Sequence, residues 1–155
     1  MGGRVPWLAP RDSWILKGRA IGRALGGDRA GACSDFAAAH DARPDDAYAV
    51  LWTVGLGGDA RLLESHAEKN NWRGNVARFY MGRISRDELL RIASTAPTER
   101  EKQEHLCEAH GYIGLLAERD GDDELASASY KACVATRVTT FVEYAWAEAR
   151  LRDRH

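Results

Sequence analysis

Apolar side chains along this chain recur every three or four positions, and no run alternates residue by residue, so the pattern predicts helices and no sheet. A lead-in over residues 1–12, broken by Pro6 and Pro10, precedes the first periodic run. Ser13 is placed to cap a helix that begins at Trp14 or Ile15 and continues to about Leu25, where Gly26, Gly27 and Asp28 interrupt it. A second run over 29–40 carries alanines on several faces, with Cys33 and Phe36 available for burial, and stops before Pro44. Asp45 and Asp46 suit the first turn of the next helix, whose apolar content is Tyr48, Leu51, Trp52 and Val54. After the Gly55-Leu56-Gly57-Gly58 break, a helix is expected over 59–68, with Leu62, Leu63 and His66 close together. Another spans 72–81 and groups Val76, Phe79 and Tyr80 at helical spacing; Ser85 caps a short one over 86–93. The longest helix covers 99–119, and Asp120-Gly121-Asp122-Asp123 turns the chain into an antiparallel companion over 124–135. A last helix over 139–152 is rich in aromatics: Phe141, Tyr144 and Trp146. Tyr144 and Trp146, two positions apart, cannot share one buried stripe. The expectation is a single all-α domain over 13–152, with a flexible end at 153–155.

Two windows share more than periodicity. Ala20, Gly27, Ala32, Phe36 and Ala39 recur with the same successive offsets as Gly114, Gly121, Ala126, Tyr130 and Cys133. A small residue in a first helix lets a second approach closely, glycine closes the connection, and an aromatic fills the volume between adjoining pairs. These ten positions are therefore read as packing residues of two antiparallel helix pairs. The arrangement resembles the tetratricopeptide repeat, whose units of about 34 residues pair two helices, and Pro44 falls where such a repeat closes. Arg23 and Ala117 stand where that repeat usually carries a bulky aromatic, and Val138 takes the place of the second closing proline. The segments VARFYMGRISRDELL, HLCEAHGYIGLLAERDGDDELASASYKACVA and VTTFVEYAWAEARL, in that order, resemble the later region of bacterial NlpI-like tetratricopeptide-repeat proteins. The likeness runs over residues 72–151. It implies antiparallel helix pairs in a short superhelical stack, and an adaptor role.

Composition narrows the functions. Twenty-two basic and 23 acidic side chains leave a formal charge of -1, which disfavours a broad nucleic-acid-binding field. No stretch approaches the roughly 20 apolar residues that cross a bilayer, and no export signal is seen, so the chain as given is expected in the cytoplasm, or outside it if a targeting segment is missing. Three cysteines are too few for a disulfide framework. Cys107 and Cys133 lie equally far along the chain from Asp120 and meet if the last helix pair forms.

Motifs for chemistry are sparse. Glu104-His105-Leu106-Cys107-Glu108-Ala109-His110 is the densest set of metal-ligating types, yet Cys107 and His110 share a face that His105 does not, and no second pair completes a zinc site. There is no HExxH sequence and no phosphate-binding loop, and the glycines after Val54 follow a helix where a dinucleotide site needs a strand. Ser65-His66 lacks a third group to orient it, and Asp122-Asp123 reads as a helix cap. No metal or cofactor is expected. Arg73, Arg78 and Arg83 beside Phe79 and Tyr80 suggest RNA binding, but the acids that follow at Glu99, Glu101, Glu104 and Glu108 oppose it.

Binding of a protein or peptide accounts best for stacked helix pairs, which offer a curved surface without an enclosed reactive pocket. In the repeat-like register, first helices line the concave face, which nominates Lys17, Ile21, Gly111, Leu115, Glu118 and Arg119 as contacts. The expectation is a noncatalytic adaptor or assembly subunit. The alternatives are a structural subunit of a larger complex, an RNA-binding helical module, or a small hydrolase using His110 or Cys107; the aromatic flank after residue 135 is a candidate contact for a homo-oligomer.

Overall fold

Short polar side chains set where most helices begin. In a computed structural model, which describes residues 10–154, the first helix runs Pro10–Leu25 (α1) and the second Arg29–Ala42 (α2). They are followed by Ala47–Gly55 (α3), a 3-10 turn over Ala60–Leu63, and Glu64–Ala67 (α4). Trp72–Tyr80 (α5), Arg86–Ser94 (α6), Glu99–Arg119 (α7), Asp123–Ala135 (α8) and Val142–Asp153 (α9) complete the described chain. Asp28, Asp46, Asn71, Ser85, Thr98 and Asp122 each accept a backbone N–H of the helix that follows, satisfying donors that have no partner inside the helix. No described residue lies in a strand.

Three boundaries differ from the sequence expectation. Pro10 heads α1, so Ser13 is an interior residue, buried and with no hydrogen-bond partner for its hydroxyl among the described residues, rather than a cap. Proline is tolerated in the first turn, where its missing N–H costs nothing. The expected helix over 59–68 is divided into the 3-10 turn and the four-residue α4, because Asp59 ties down the Arg61 N–H and tightens the first turn. The last helix starts at Val142: Arg137 takes a φ of 59°, and the chain turns through Val138 before Phe141 leads into α9.

The two hairpins that share a sequence signature share a turn. After α1, Gly27 (φ 89°) lets Asp28 N–H reach Arg23 O at 2.8 Å; after α7, Gly121 (φ 82°) lets Asp122 N–H reach Ala117 O at 2.8 Å. Both are left-handed glycine caps that close a helix and release an aspartate to open the next. Ala20, Ala32, Phe36 and Ala39 are fully buried in the first pair, as are Ala126, Tyr130 and Cys133 in the second. At Gly114 an added Cβ would stand 2.5 Å from the Tyr130 ring, so only glycine admits that ring. Cys107 and Cys133 face each other with sulfurs 3.6 Å apart as free, buried thiols.

Helices pack mainly on their neighbours in sequence, α1 on α2, α2 on α3, and α4 through α8 each on the next, with the 3-10 turn joining α3 to α4. α9 also lies along α7 and touches α1. The centre is Trp52 of α3, which stacks on Phe36 at 6.2 Å and meets the edges of Tyr112 at 6.0 Å and Trp146 at 5.2 Å. Four helices thus converge on one indole, a cluster that contributes more than its buried area alone. Trp146 is buried and Tyr144 half-buried, one on each side of the α9 stripe. Among the described residues no helix is long and apolar enough to cross a membrane.

Candidate functional site: an aromatic cleft with two glutamates

On α1, Trp14, Lys17, Gly18 and Ile21 fall on one face by their spacing of three and four. Among the described residues no helix covers that face. It forms one wall of an open cleft of about 420 Å³, floored by Phe36 and Trp52 and closed on the far side by Tyr48, Glu108 and residues 140–143. Trp14, 78% exposed, and Val142, 45% exposed, stand at its rim. An added Cβ on Gly18 would meet nothing within 4 Å, so the wall has room to spare. Two shallower depressions continue from it. One shares Tyr48, Glu108 and Phe141 and reaches Trp72 and His105; the other shares Lys17 and Tyr48 and reaches Asp45 and Arg73.

Two glutamates are among the lining of this largely apolar cavity. Glu108, 4% exposed, accepts from the Tyr48 hydroxyl at 2.5 Å and from the Trp72 indole N–H at 3.2 Å. Glu143, 5% exposed, accepts from the Tyr112 hydroxyl at 3.0 Å. Among the described residues neither forms an ion pair. Lys17 bonds Asp46 at 2.5 Å, and the Arg73 guanidinium lies 4.4 Å over the Tyr48 ring, from where its charge favours ionised Glu108 without a direct ion pair. Burial, reinforced by the charge of Glu143, pushes the Glu108 carboxyl up to about 7, despite the hydrogen bonds from Tyr48 and Trp72. Burial likewise raises Glu143. Trp72 is itself fixed by stacking on His105, with ring centres 4.4 Å apart.

The six residues nominated from sequence do not form one surface. Lys17 and Ile21 line the cleft. Gly111 and Leu115 are buried, which corrects their assignment to an accessible face: Gly111 lies against the Glu143 side chain, and Leu115, 1% exposed, packs on Gly55. α3 and α9 fold over α7 and cover the face that a simple stack would have left open. Glu118 is enclosed by arginines, with Arg150 and Arg154 each at 2.9 Å and Arg29 at 3.6 Å. Burial opposes its ionisation, but hydrogen bonds from Arg150 and Arg154 bring its carboxyl below the usual range. Arg119 bonds its neighbour Asp120 and lies outside the cleft lining.

The other chemical candidates are committed to structure. Cys107 is wholly buried against Cys133, and His110 is half-buried on the same helix. His66 is buried edge-on to His40, with ring centres 5.8 Å apart, while Ser65 faces solvent. Asp122 caps α8. Arg78 bonds the carbonyls of Ala67 and Lys69, and Arg83 pairs with Glu68, so two arginines of the basic stretch are held by their own chain. Among the described residues no group of three or more metal-ligating side chains comes together.

Sequence reasoning passed over Trp14, Tyr48, Phe141 and Glu143 as site residues, and weighed Glu108 only within a set of metal-ligating types and as an acid opposing RNA binding. One signal was available. Glu108 shares a helix face with Tyr112 and Leu115, so an acid sits on the apolar stripe of α7. No family model matches the chain.

Proposed function

We propose that this chain is a noncatalytic protein-binding adaptor of the tetratricopeptide-like kind, and that it takes a peptide segment of its partner into the cleft beside α1. The observation that carries this reading is the cleft itself, an open apolar cavity of about 420 Å³ rimmed by exposed Trp14 and Val142. Large apolar side chains grouped at a concave surface mark interaction sites, and tryptophan is the residue most enriched where binding energy concentrates. Adjoining depressions extend the surface beyond the reach of a single side chain, which suits an extended segment better than a small molecule. The likeness of residues 72–151 to NlpI-like repeat proteins supports the same role.

A photo-crosslinking amino acid at position 14 tests the reading, with the same group at exposed Arg61 as a control. Adducts in native extract from position 14 alone, mapping to one segment of one protein and competed by that segment as a synthetic peptide, are the expected result. Adducts only between copies of this chain would make the surface a self-association interface. No specific adduct from position 14 would remove the adaptor reading.

A further inference from the structure

Resting on the peptide-binding reading, we infer that the cleft selects a partner segment that places a basic side chain, arginine or lysine, between Glu108 and Glu143 with apolar residues on either side. The charge distribution argues for it. Glu108 and Glu143 both line the cleft, both are almost fully enclosed, and neither is in an ion pair among the described residues; Arg73 acts on Glu108 only at a distance. Glu118 shows what a cation does for a buried acid in this same fold: three arginines surround it and its carboxyl stays ionised. Glu108 receives only neutral donors, a phenol and an indole. A guanidinium or ammonium entering the cleft would give the two carboxylates the compensation they lack, through charge-assisted hydrogen bonds in a site of low dielectric.

The walls suit the same side chain. Half-buried Tyr48 and Phe141 offer aromatic surface to an aliphatic stem and to a guanidinium, over a floor of buried Phe36 and Trp52. One such pair already exists at the edge of the cleft, where Arg73 lies 4.4 Å over Tyr48. The cavity is larger than one basic side chain fills, and its apolar rim at Trp14 and Val142 accounts for apolar neighbours in the segment. The adjoining depression that contains Trp72 carries both Glu104 and Arg73, so its charge is mixed and the acidic selection rests on Glu108 and Glu143.

Three acetylated, amidated tripeptides test the assignment: Leu-Arg-Leu, Leu-citrulline-Leu and Leu-norleucine-Leu. Citrulline keeps the shape of arginine and removes its charge, so the decisive comparison needs no change to the protein. Binding is followed by the indole N–H resonances of Trp14, Trp52 and Trp72 in two-dimensional NMR. The expected result is a saturable shift of these resonances, with the arginine peptide at least about tenfold tighter than the citrulline peptide. Glu143→Gln and Glu108→Gln, each checked for a native spectrum, should bring that ratio toward one, and Gly18→Trp should abolish binding of all three. Equal binding of the three peptides at the cleft would overturn the basic-side-chain assignment and leave the peptide site standing. No shift with any of them would overturn the assignment, and the crosslinking at position 14 would then decide the broader reading separately.

Discussion

The α1/α2 and α7/α8 hairpins share residue spacing, glycine cap and buried aromatic, yet the same face of their first helices meets opposite fates. On α7, positions 108, 111, 112 and 115 are buried beneath α3 and α9, with Gly111 against Glu143 and Leu115 against Gly55. On α1 the corresponding positions are Trp14, Lys17, Gly18 and Ile21, and they line an open cleft. Inside each pair the signature dictates packing. Outside it, the fate of the exposed face depends on which other helices fold back, and the repeat pattern carries no information about that. The cleft is the place where one hairpin has a packing face that no helix covers among the described residues.

The largest effect should come from what the hairpins have in common. Phe36→Ala and Tyr130→Ala each remove a fully buried ring and are expected to cost about 3–5 kcal/mol in urea unfolding. Tyr130→Ala should fall at the upper end, since its hydroxyl also accepts from the Trp146 indole at 3.0 Å. A cost below about 1 kcal/mol at Phe36 would mean that the first hairpin is not packed as the second is.

The hairpin signature was legible in sequence because close helix approach needs small residues at fixed offsets, and a glycine in the left-handed region leaves little freedom of spelling. Gly114 and Tyr130 are a lock read in one dimension. Pro10 was misread as a breaker because proline in a first turn and proline in a loop look alike without the backbone. The short α4 was invisible for a different reason, since one Asp59 contact decides between a 3-10 turn and an α-helix. Leu115 was placed on an open surface by a register argument that treats each pair alone; α3 and α9 return from distant parts of the chain to bury it. The cleft draws its lining from α1, α2, α3, α7 and α9, so no window of sequence contains it. Only Glu108, an acid on an apolar stripe, betrayed it locally.

The two classes of buried glutamate offer a sharper comparison through pH. The folded chain raises Glu108 from 4.5 to about 7, so the native state holds a proton that the unfolded state releases. The corresponding stability is full below about 4.5 and is lost as pH rises to about 7. Around Glu108 stand Tyr48, Arg73, Glu104, His105 and Glu143, with Lys17 across the cleft. His66, His105 and His110 are lowered by burial and act with the opposite sign, so the difference between the native protein and Glu108→Gln is the quantity to measure. In urea unfolding from pH 5 to pH 8, the native protein should lose on the order of 1–3 kcal/mol relative to Glu108→Gln. Glu118 is lowered, so its contribution is lost only as pH falls through its folded value; Glu118→Gln should therefore be destabilised by a nearly constant amount over the same range. Parallel curves for Glu108→Gln and the native protein would show that Glu108 ionises as freely in the fold as in water.

The smallest effect is the most discriminating, because it probes the covered and uncovered faces with one methyl group. At Gly111 an added Cβ would stand 2.7 Å from the Glu143 Cβ, so Gly111→Ala should destabilise by about 1–3 kcal/mol as α9 is pushed away. At Gly18 the same methyl meets nothing within 4 Å. Gly18→Ala should then show only the helix-propensity gain, about 0.5–1 kcal/mol of added stability. The pair can be read in one set of urea titrations. If Gly18→Ala is destabilising, the α1 face is covered in solution much as the α7 face is, and the cleft ceases to be an available surface. If it stabilises while Gly111→Ala costs, the two hairpins differ where the cleft requires: the same helix face filled from within the chain in one and left for another molecule in the other.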